Sequence, residues 1–530
     1  MSRLSCATGT LLASLALALP GTALAQRASE NAVTASEDAF GTSVGTETTG
    51  IYTERDTRGF SPLKAGNVRI DGIYHDPVAP MSGRLRASTS IRVGFAAADY
   101  PFVAPTGIAD HQFKRFPEKF GNSFAAMQYQ YGGKLLEWDL RLPIVTDNLA
   151  LTGGFALADT RQSDGTDSRS WGAAVRPIIK AGGMEISPFA SIARFYHSET
   201  RPLVVVASGH LPQVPARRRL LSQDWAVNRQ QNELYGVTFK ASVTPALSLR
   251  AGLFHSLGER EENYSEIYAI TDGAGHAAHR LLADPVHDIH STSGEALAAL
   301  RLGSGKWSHR LFAGFRGRDR LTQSGGSSAH DFGLVDYGEP DSHARPVFAF
   351  GPVNAGRVRQ SSLMAGYIGR LDGVGQINLG LQKARYRATF RDGRSGQADR
   401  SRASAWLYNA TVLADLTRHL SLYAGTQRGL EDSGQAPENA ANRNEQLPAT
   451  RTTQYEGGLR WRWKHNQLVV NLFQITKPYF AFDAGNRYVA LGDERHRGVE
   501  ASLAGHFAGR LDLVAGGVLM KPQGTGPARD

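Results

Sequence analysis

From about Phe120 onward the chain breaks into stretches of alternating apolar and polar side chains, joined by tight turns and long loops in strict succession. Leu136, Trp138, Leu140 and Leu142 alternate with Glu137, Asp139 and Arg141. Tyr235, Val237, Phe239, Ala241 and Val243 alternate with Gly236, Thr238, Lys240 and Ser242, and Tyr455, Leu459, Trp461 and Trp463 are offset against Glu456, Arg460 and Arg462. Successive side chains of a strand point to opposite faces, so each stretch has one apolar and one polar face. The spacing predicts seventeen strands, near 120–132, 134–145, 148–160, 169–180, 183–197, 232–243, 246–257, 293–303, 306–317, 360–371, 374–388, 402–414, 417–427, 452–464, 466–476, 496–507 and 510–521. Tight turns at Thr146 and Asp147, Gly182, Thr244 and Pro245, Ser304 and Gly305, Asp372 and Gly373, and Lys464 and His465 follow even-numbered strands. Long connections over 198–231, 258–292, 318–359, 428–451 and 477–495 follow odd-numbered ones. A soluble sandwich has no reason to gather its long loops at one end. An antiparallel membrane barrel, with periplasmic turns and extracellular loops, does.

Composition agrees with a barrel without demanding one. The chain has 58 Gly and 20% charged residues, with a mean hydropathy of −0.31, as expected when only alternate residues face lipid. No segment approaches the roughly 18 apolar residues of a spanning helix; the longest candidate covers only 203–207. The N-terminus has the order of a secretory signal: Arg3, an apolar run over 11–19, then Ala23-Leu24-Ala25, which predicts cleavage before Gln26. The one cysteine, Cys6, falls inside that signal, so no disulfide or cysteine metal site is expected in the mature chain. A net charge of +10 on a secreted chain suits anionic small ligands or lipopolysaccharide rather than nucleic acid, or simply solvates loops and lumen.

Residues 26–118 lack the long alternating stretches and read as a small α+β module ending near Pro117, with the barrel over 119–530. Seventeen antiparallel strands is an odd count, and the polar tail 521–530 carries no terminal aromatic, so the barrel is expected to be incomplete at its C-terminus. HExxH and P-loop motifs are absent, and neither an enzyme nor a cofactor is expected.

Within the N-terminal module, Asp56-Thr57-Arg58-Gly59-Phe60-Ser61-Pro62, followed by Gly66-Asn67-Val68-Arg69-Ile70-Asp71-Gly72, resembles the plug of TonB-dependent receptors. Lys477-Pro478-Tyr479-Phe480 and Arg497-Gly498-Val499-Glu500-Ala501-Ser502 are similar to the late-barrel signature of the siderophore-receptor branch. The resemblance implies an outer-membrane barrel of about 22 strands closed by the module over 26–118, and of these strands about 17 are present. It also implies import of a ferric siderophore or similar metal chelate, driven by the TonB–ExbB–ExbD complex through the N-terminal segment, by a monomer in contact with lipid and lipopolysaccharide. Ala32-Val33-Thr34-Ala35 is the stretch most similar to a TonB-contact box. The rival expectations are a passive porin-like channel and a truncated receptor that binds without transporting.

Ligand candidates follow from chemistry and position. Tyr74, His75 and Asp76 after the Asp71-Gly72 turn, and Tyr100 and Phe102 within the plug, are expected at its outer apex, or else in ordinary loop packing. Arg217, Arg218 and Arg219 in the 198–231 loop would steer an anionic ferric complex or meet lipopolysaccharide phosphates. Phe348 and Phe350 offer aromatic surface, for an aryl ligand or for the loop's own core. His276, His279, His287 and His290, with Asp284 and Asp288, are the densest histidine cluster, but their spacing fits no standard metal site and none is expected. Arg58, Gly59, Asp71 and Gly72 are expected to shape the plug, and Glu137, Asp139, Arg141, Arg460 and Arg462 to hold it in the barrel.

Overall fold

The structure, a computed structural model, describes residues 30–207, 209–507 and 509–526; the expected signal peptide over 1–25 and its cleavage point lie outside them. The N-terminal module is built on strands β1 (Thr42–Val44), β2 (Glu47–Thr49), β3 (Val68–Ile70), β4 (Ile73–His75), β5 (Arg86–Arg92) and β6 (Ile108–Phe113). They form one mixed sheet of order β2-β1-β5-β6-β3-β4. One capped helical turn, α1 (Ala32–Ala35), precedes it.

Two hairpin tips explain why the Arg-Gly and Asp-Gly pairs stand where they do. Arg58 and Gly59 have φ of 56° and 80°, and Asp71 and Gly72 have 50° and 76°. Two successive positive φ values make the two-residue turn that matches strand twist, and Asp-Gly is a favoured pair for it. The first turn is closed by Thr57 and Phe60, which exchange backbone hydrogen bonds of 2.7 and 3.1 Å; the second joins β3 to β4.

Twenty strands follow: β7 (Gly121–Gln128), β8 (Lys134–Val145), β9 (Leu149–Arg161), β10 (Asp167–Ala181), β11 (Met184–Glu199), β12 (Leu203–Val206), β13 (Val227–Ser242), β14 (Leu247–Ile270), β15 (His276–Asp284), β16 (His287–Ser304), β17 (Trp307–Ser324), β18 (Ser328–Asp336), β19 (Asn354–Leu371), β20 (Gly375–Arg391), β21 (Ala398–Asp415), β22 (Leu420–Glu431), β23 (Thr450–Trp463), β24 (Asn466–Phe482), β25 (Tyr488–Phe507) and β26 (Leu511–Thr525). They run in sequence order round a closed barrel. Setting aside β12, β15 and β18, the wall has seventeen strands, each overlapping one predicted from the alternation. Because that number is odd, β7 and β26, neighbours at the seam, both run from the short-turn end to the long-loop end.

The outward face is apolar and open: Phe124, Trp138, Leu253, Leu363, Trp406, Leu472 and Leu519 are all exposed. The inward face carries buried polar groups such as Glu137, Asp139, Glu295, Gln427, Glu456, Asn471 and Glu500. That inversion of a soluble core is what lipid outside and a polar plug inside require. Among the described residues no helix is long and apolar enough to cross a membrane; the crossing is made by strands, whose ladders pair the backbone groups that lipid cannot satisfy.

The long connections depart from the sequence expectation. The stretch 258–292 is not a loop: β14 continues to Ile270, β15 fills His276–Asp284 and β16 starts at His287. β12 pairs in parallel with β14 at Leu203↔Ile267, β15 pairs with β14, and β18 pairs with β15, which makes a small sheet beyond the wall. The stretch 477–495 is likewise a hairpin, closed over 483–487. Past the membrane no lipid demands an apolar face, so period two survives without its hydrophobic half, and charge-rich strands there read as loops.

Candidate functional site

Plug and wall are joined first by a buried carboxylate–guanidinium network. The turn that lifts Arg58 into positive φ aims its guanidinium at two wall strands: Nη2 and Nε reach Glu500 at 2.6 and 3.1 Å, and Nη1 reaches Glu456 at 2.8 Å. All three side chains are at most 3% exposed. Tyr52 donates its hydroxyl to Glu500, Asn471 donates to the same carboxylate at 2.8 Å, and Gln427 donates to Glu456 at 2.8 Å. Phe473 lies under the guanidinium, 4.6 Å to the ring centre, and Phe60 stacks on His496 at 4.3 Å. Buried charges persist only when so fully paired.

Further ion pairs run round the bore. Arg84 meets Glu137 at 2.6 Å and Asp139 at 2.8 Å, and Lys114 meets Asp139 at 2.8 Å. Arg69 meets Glu295 at 3.2 Å, Asp71 meets Lys240 at 3.0 Å, and Asp76 meets Arg318 and Arg320, both at 3.0 Å. Arg460 lies over the Phe95 ring at 4.7 Å, whereas Arg462 bonds its wall neighbour Gln467 at 3.1 Å.

This arrangement corrects part of the expected ligand set. Tyr74, His75 and Asp76 are 5%, 1% and 0% exposed: they are wall contacts, not an open apex, because Asp76 also takes Ser291 Oγ at 2.7 Å and gives its backbone N–H to Ser293 at 2.9 Å. Burial pushes the His75 imidazole down to about 3, so it stays neutral. Phe102 is buried among Leu297, Met364 and Phe312. Asn378, close to the 372–374 turn, donates to the Tyr100 carbonyl at 2.7 Å. Tyr100 and Phe102 thus sit toward the short-turn end, beside a cavity of about 750 Å³ lined by Pro101, Asp99 and Lys180. Phe348 caps Trp225 and Tyr264 at 6.1 and 5.9 Å, covering the outer sheet's own core, with the half-exposed Phe350 stacked on it at 6.2 Å.

The arginine run does reach a cleft at the long-loop end. A cavity of about 490 Å³ is lined by Arg201, Arg217, Arg219, Asp164, Tyr131 and Tyr337, with Val204 and Leu221 on its apolar side and the exposed Val214 at its rim. Arg201 is paired to Asp164 at 2.5 Å and Arg219 to Glu339 at 2.5 Å. Arg218 turns away to Asp167 at 3.1 Å. Arg217 is exposed, and among the described contacts it has no carboxylate partner. A second outer cavity of about 620 Å³ is lined by both signs of charge, Arg394 and Arg443 against Asp392, Asp399, Glu438 and Glu445. Tyr131 and Arg201 were missed in the sequence because nothing local ties them to the run at 217–219.

At the other end, the stretch expected to contact TonB is folded. Asn31 caps the Ala32–Ala35 turn by accepting from Val33 and Thr34 N–H, Ala32 is buried, and its N–H donates to Glu47 at 2.9 Å. Behind it, burial holds the Asp38 carboxyl up at about 6 although it accepts from Phe40 N–H and lies near Arg92. A carboxyl raised in the fold favours docking below its unfolded value near 4 and loses that advantage as pH rises through about 6, at most about 3 kcal/mol. Hydrogen exchange at Phe40 and Gly41, corrected for intrinsic rate, is therefore expected to be slower at pH 5 than at pH 7.5. Asp38→Asn should abolish the difference; identical protection at both pH values in the unaltered chain would refute the account.

Residues 192–519 match the family described as TonB dependent receptor-like, beta-barrel. No curated protein sequence matches. Among solved structures, the ferric preacinetobactin receptor BauA of Acinetobacter baumannii is similar at a TM-score of 0.73 and 19% identity, over 88% of this chain and 72% of that one. The siderophore receptor PiuA of the same organism gives 0.74 and 13%, over 89% and 73%. The ferric-catecholate import receptor Fiu of E. coli K12 in its closed form gives 0.72 and 14%, over 88% and 74%. At such identities the likeness is one of fold.

Proposed function

We propose that this chain, which belongs to the TonB-dependent receptors, imports an anionic ferric siderophore or similar metal chelate across the outer membrane. The observation that carries the reading is a bore filled by a plug and pinned to the wall by ion pairs such as Arg58–Glu500, Arg84–Glu137 and Asp76–Arg318. A passive porin-like channel has no use for a stopper, and this rival is not favoured. Barrels of this family sit in the outer membrane, their long loops outside. Receptors of ferric chelates recur among proteins of similar fold, and they are transport receptors rather than enzymes.

In this reading the Arg201–Arg217–Arg219 cleft is the first contact for cargo, its tyrosines facing aryl groups and its cationic balance drawing an anion. The plug spans 26–118 and the barrel begins at 119. TonB, with ExbB and ExbD, pulls on the segment around Ala32–Ala35 after that turn undocks, in a monomer surrounded by lipid and lipopolysaccharide. A signal peptide over 1–25 delivers the chain.

The test is binding of an anionic tris-catecholate iron complex and a neutral tris-hydroxamate one to the purified protein and to its Arg217→Glu variant. Reversal of one exposed steering charge should slow association of the anionic complex about fivefold at low salt, and the gap should close at high salt. Failure of every anionic ferric chelate to bind would reject the cargo; an unchanged rate in the variant would reject the cleft.

A further inference from the structure

Of the four histidines clustered in the sequence, three disperse. His276 pairs with Asp272 at 2.6 Å, His287 bonds the Gly325 carbonyl at 2.8 Å, and His290 stacks on His255 at 5.9 Å. His279 instead meets a different segment. One ligand atom from each of His279, Asp341 and His343 lies within 4.8 Å of the other two, and Asp341 Oδ2 is 3.3 Å from His279 Nδ1 and 2.6 Å from His343 Nε2. We propose that His279, Asp341 and His343 form a binding site for a divalent transition cation of the zinc class, which clamps the irregular 337–353 segment onto the outer sheet.

The environment of His279 points to a ligand role. The side chain is fully buried, and each ring nitrogen faces a carboxylate: Nε2 the Glu266 Oε1 at 2.7 Å, Nδ1 the Asp341 Oδ2 at 3.3 Å. Carboxylates only accept, and a neutral imidazole has a single N–H. In the tautomer with that proton on Nε2 toward Glu266, the Nδ1 lone pair can ligate a cation seated between Nδ1, Asp341 and His343. The Glu266 contact then becomes the outer hydrogen bond that fixes tautomer and ring orientation in metal-binding histidines.

The ligands are also held in place beforehand. Tyr268 and Phe332 pack on the His279 ring at 4.3 and 4.7 Å, and Phe332 stacks on His343 at 4.4 Å. Gln223 accepts from His343 N–H at 2.7 Å and donates to the Asp341 carbonyl. Trp225 donates to the His343 carbonyl at 2.8 Å, and Gln223 N–H meets the free oxygen of Glu266 at 3.1 Å. Ligand atoms about 2.0–2.1 Å from a tetrahedral ion stand about 3.3 Å apart. The His279–Asp341 separation already fits, and the His343–Asp341 contact needs to open by only about 0.7 Å. Two imidazoles and a carboxylate suit zinc and its neighbours better than calcium or magnesium. With three protein ligands, a fourth position is left for water.

The test uses the full chain, purified in detergent, stripped of metal and titrated with Zn2+ at pH 7.5. One saturable equivalent is expected, weakened at least tenfold in His343→Ala and Asp341→Asn and unchanged in His276→Ala. His343→Cys, which restores a zinc ligand to a chain whose only cysteine is Cys6, should keep the affinity, and Zn2+ should slow chymotryptic cleavage after the half-exposed Phe350 in both ligand-bearing forms. No saturable equivalent in the unaltered protein, equal binding in His343→Ala, or parallel loss in the Ala and Cys variants would each overturn the site. The readout is binding, so the cargo proposal stands or falls separately.

Discussion

Arg58→Ala is expected to loosen the plug by about 3–5 kcal/mol, the usual cost of leaving a buried charge without its partner. Glu456 and Glu500 would remain in the wall, sealed from water, with the neutral donors Tyr52, Tyr423, Asn471 and Gln427 and each other nearby. Like charges held there repel, so the loss exceeds that of three hydrogen bonds at a water-exposed site. Arg58→Lys should recover little, because a lysine cannot reproduce the fork that meets Glu500 through Nε and Nη2 and Glu456 through Nη1. Adding Glu456→Gln and Glu500→Gln to Arg58→Ala should recover much of the deficit, since it removes the stranded charges. Two measurements check this: denaturant unfolding of the purified protein, and single-channel recording in planar bilayers. Openings should be frequent in Arg58→Ala and rare in the unaltered chain and the triple variant. A silent Arg58→Ala channel with unaltered unfolding would show that this network does not hold the plug.

The same network shows how far the sequence could be read. Arg58-Gly59 and Glu500 both stood out, in the two stretches that resemble the family, yet nothing in either stretch says that they touch across 442 positions. Wall strands were legible because lipid enforces a strict apolar face: Leu136 and Trp138 point out while Glu137 and Asp139 point to Arg84. In the loop-end sheet that constraint is gone. Tyr264, Glu266, Tyr268 and Ile270 do alternate as buried residues, but a buried glutamate does not look like a core position until its His279 partner is known. The short plug strands were illegible for another reason. Strands of three residues give no periodicity, and Tyr74, His75 and Asp76 look like an accessible polar tip in a sequence that does not reveal Arg318 and Arg320 waiting in the wall. Polar residues inside a plugged barrel are core residues, so polarity alone misplaces them.

If import requires the plug to leave the wall, a covalent bond between the two should stop it without harming capture of cargo. Ser256 Oγ on β14 accepts from the backbone N–H of Val78 and Ala79 at 3.2 and 3.1 Å, on the face of the plug that Asp76 also ties to Ser291 and Arg318. These contacts bring residues 79 and 256 close enough for an Ala79→Cys, Ser256→Cys pair to be tried as a disulfide, for which the geometric window is narrow. Cys6 falls in the expected signal peptide, so the mature chain would offer no competing thiol. Bond formation is read first, as a shift in gel mobility under oxidising conditions. The oxidised form is expected to bind the ferric chelate as the unaltered chain does but to import it at least tenfold more slowly, with full recovery on reduction. The single variants should import normally in both conditions, which separates the tether from any loss of the Ser256 hydrogen bonds. Uptake that continues at the full rate through an oxidised tether would mean that the plug stays seated on β14 during transport, and the path for cargo would have to open on the opposite side, where Arg58 holds Glu456 and Glu500.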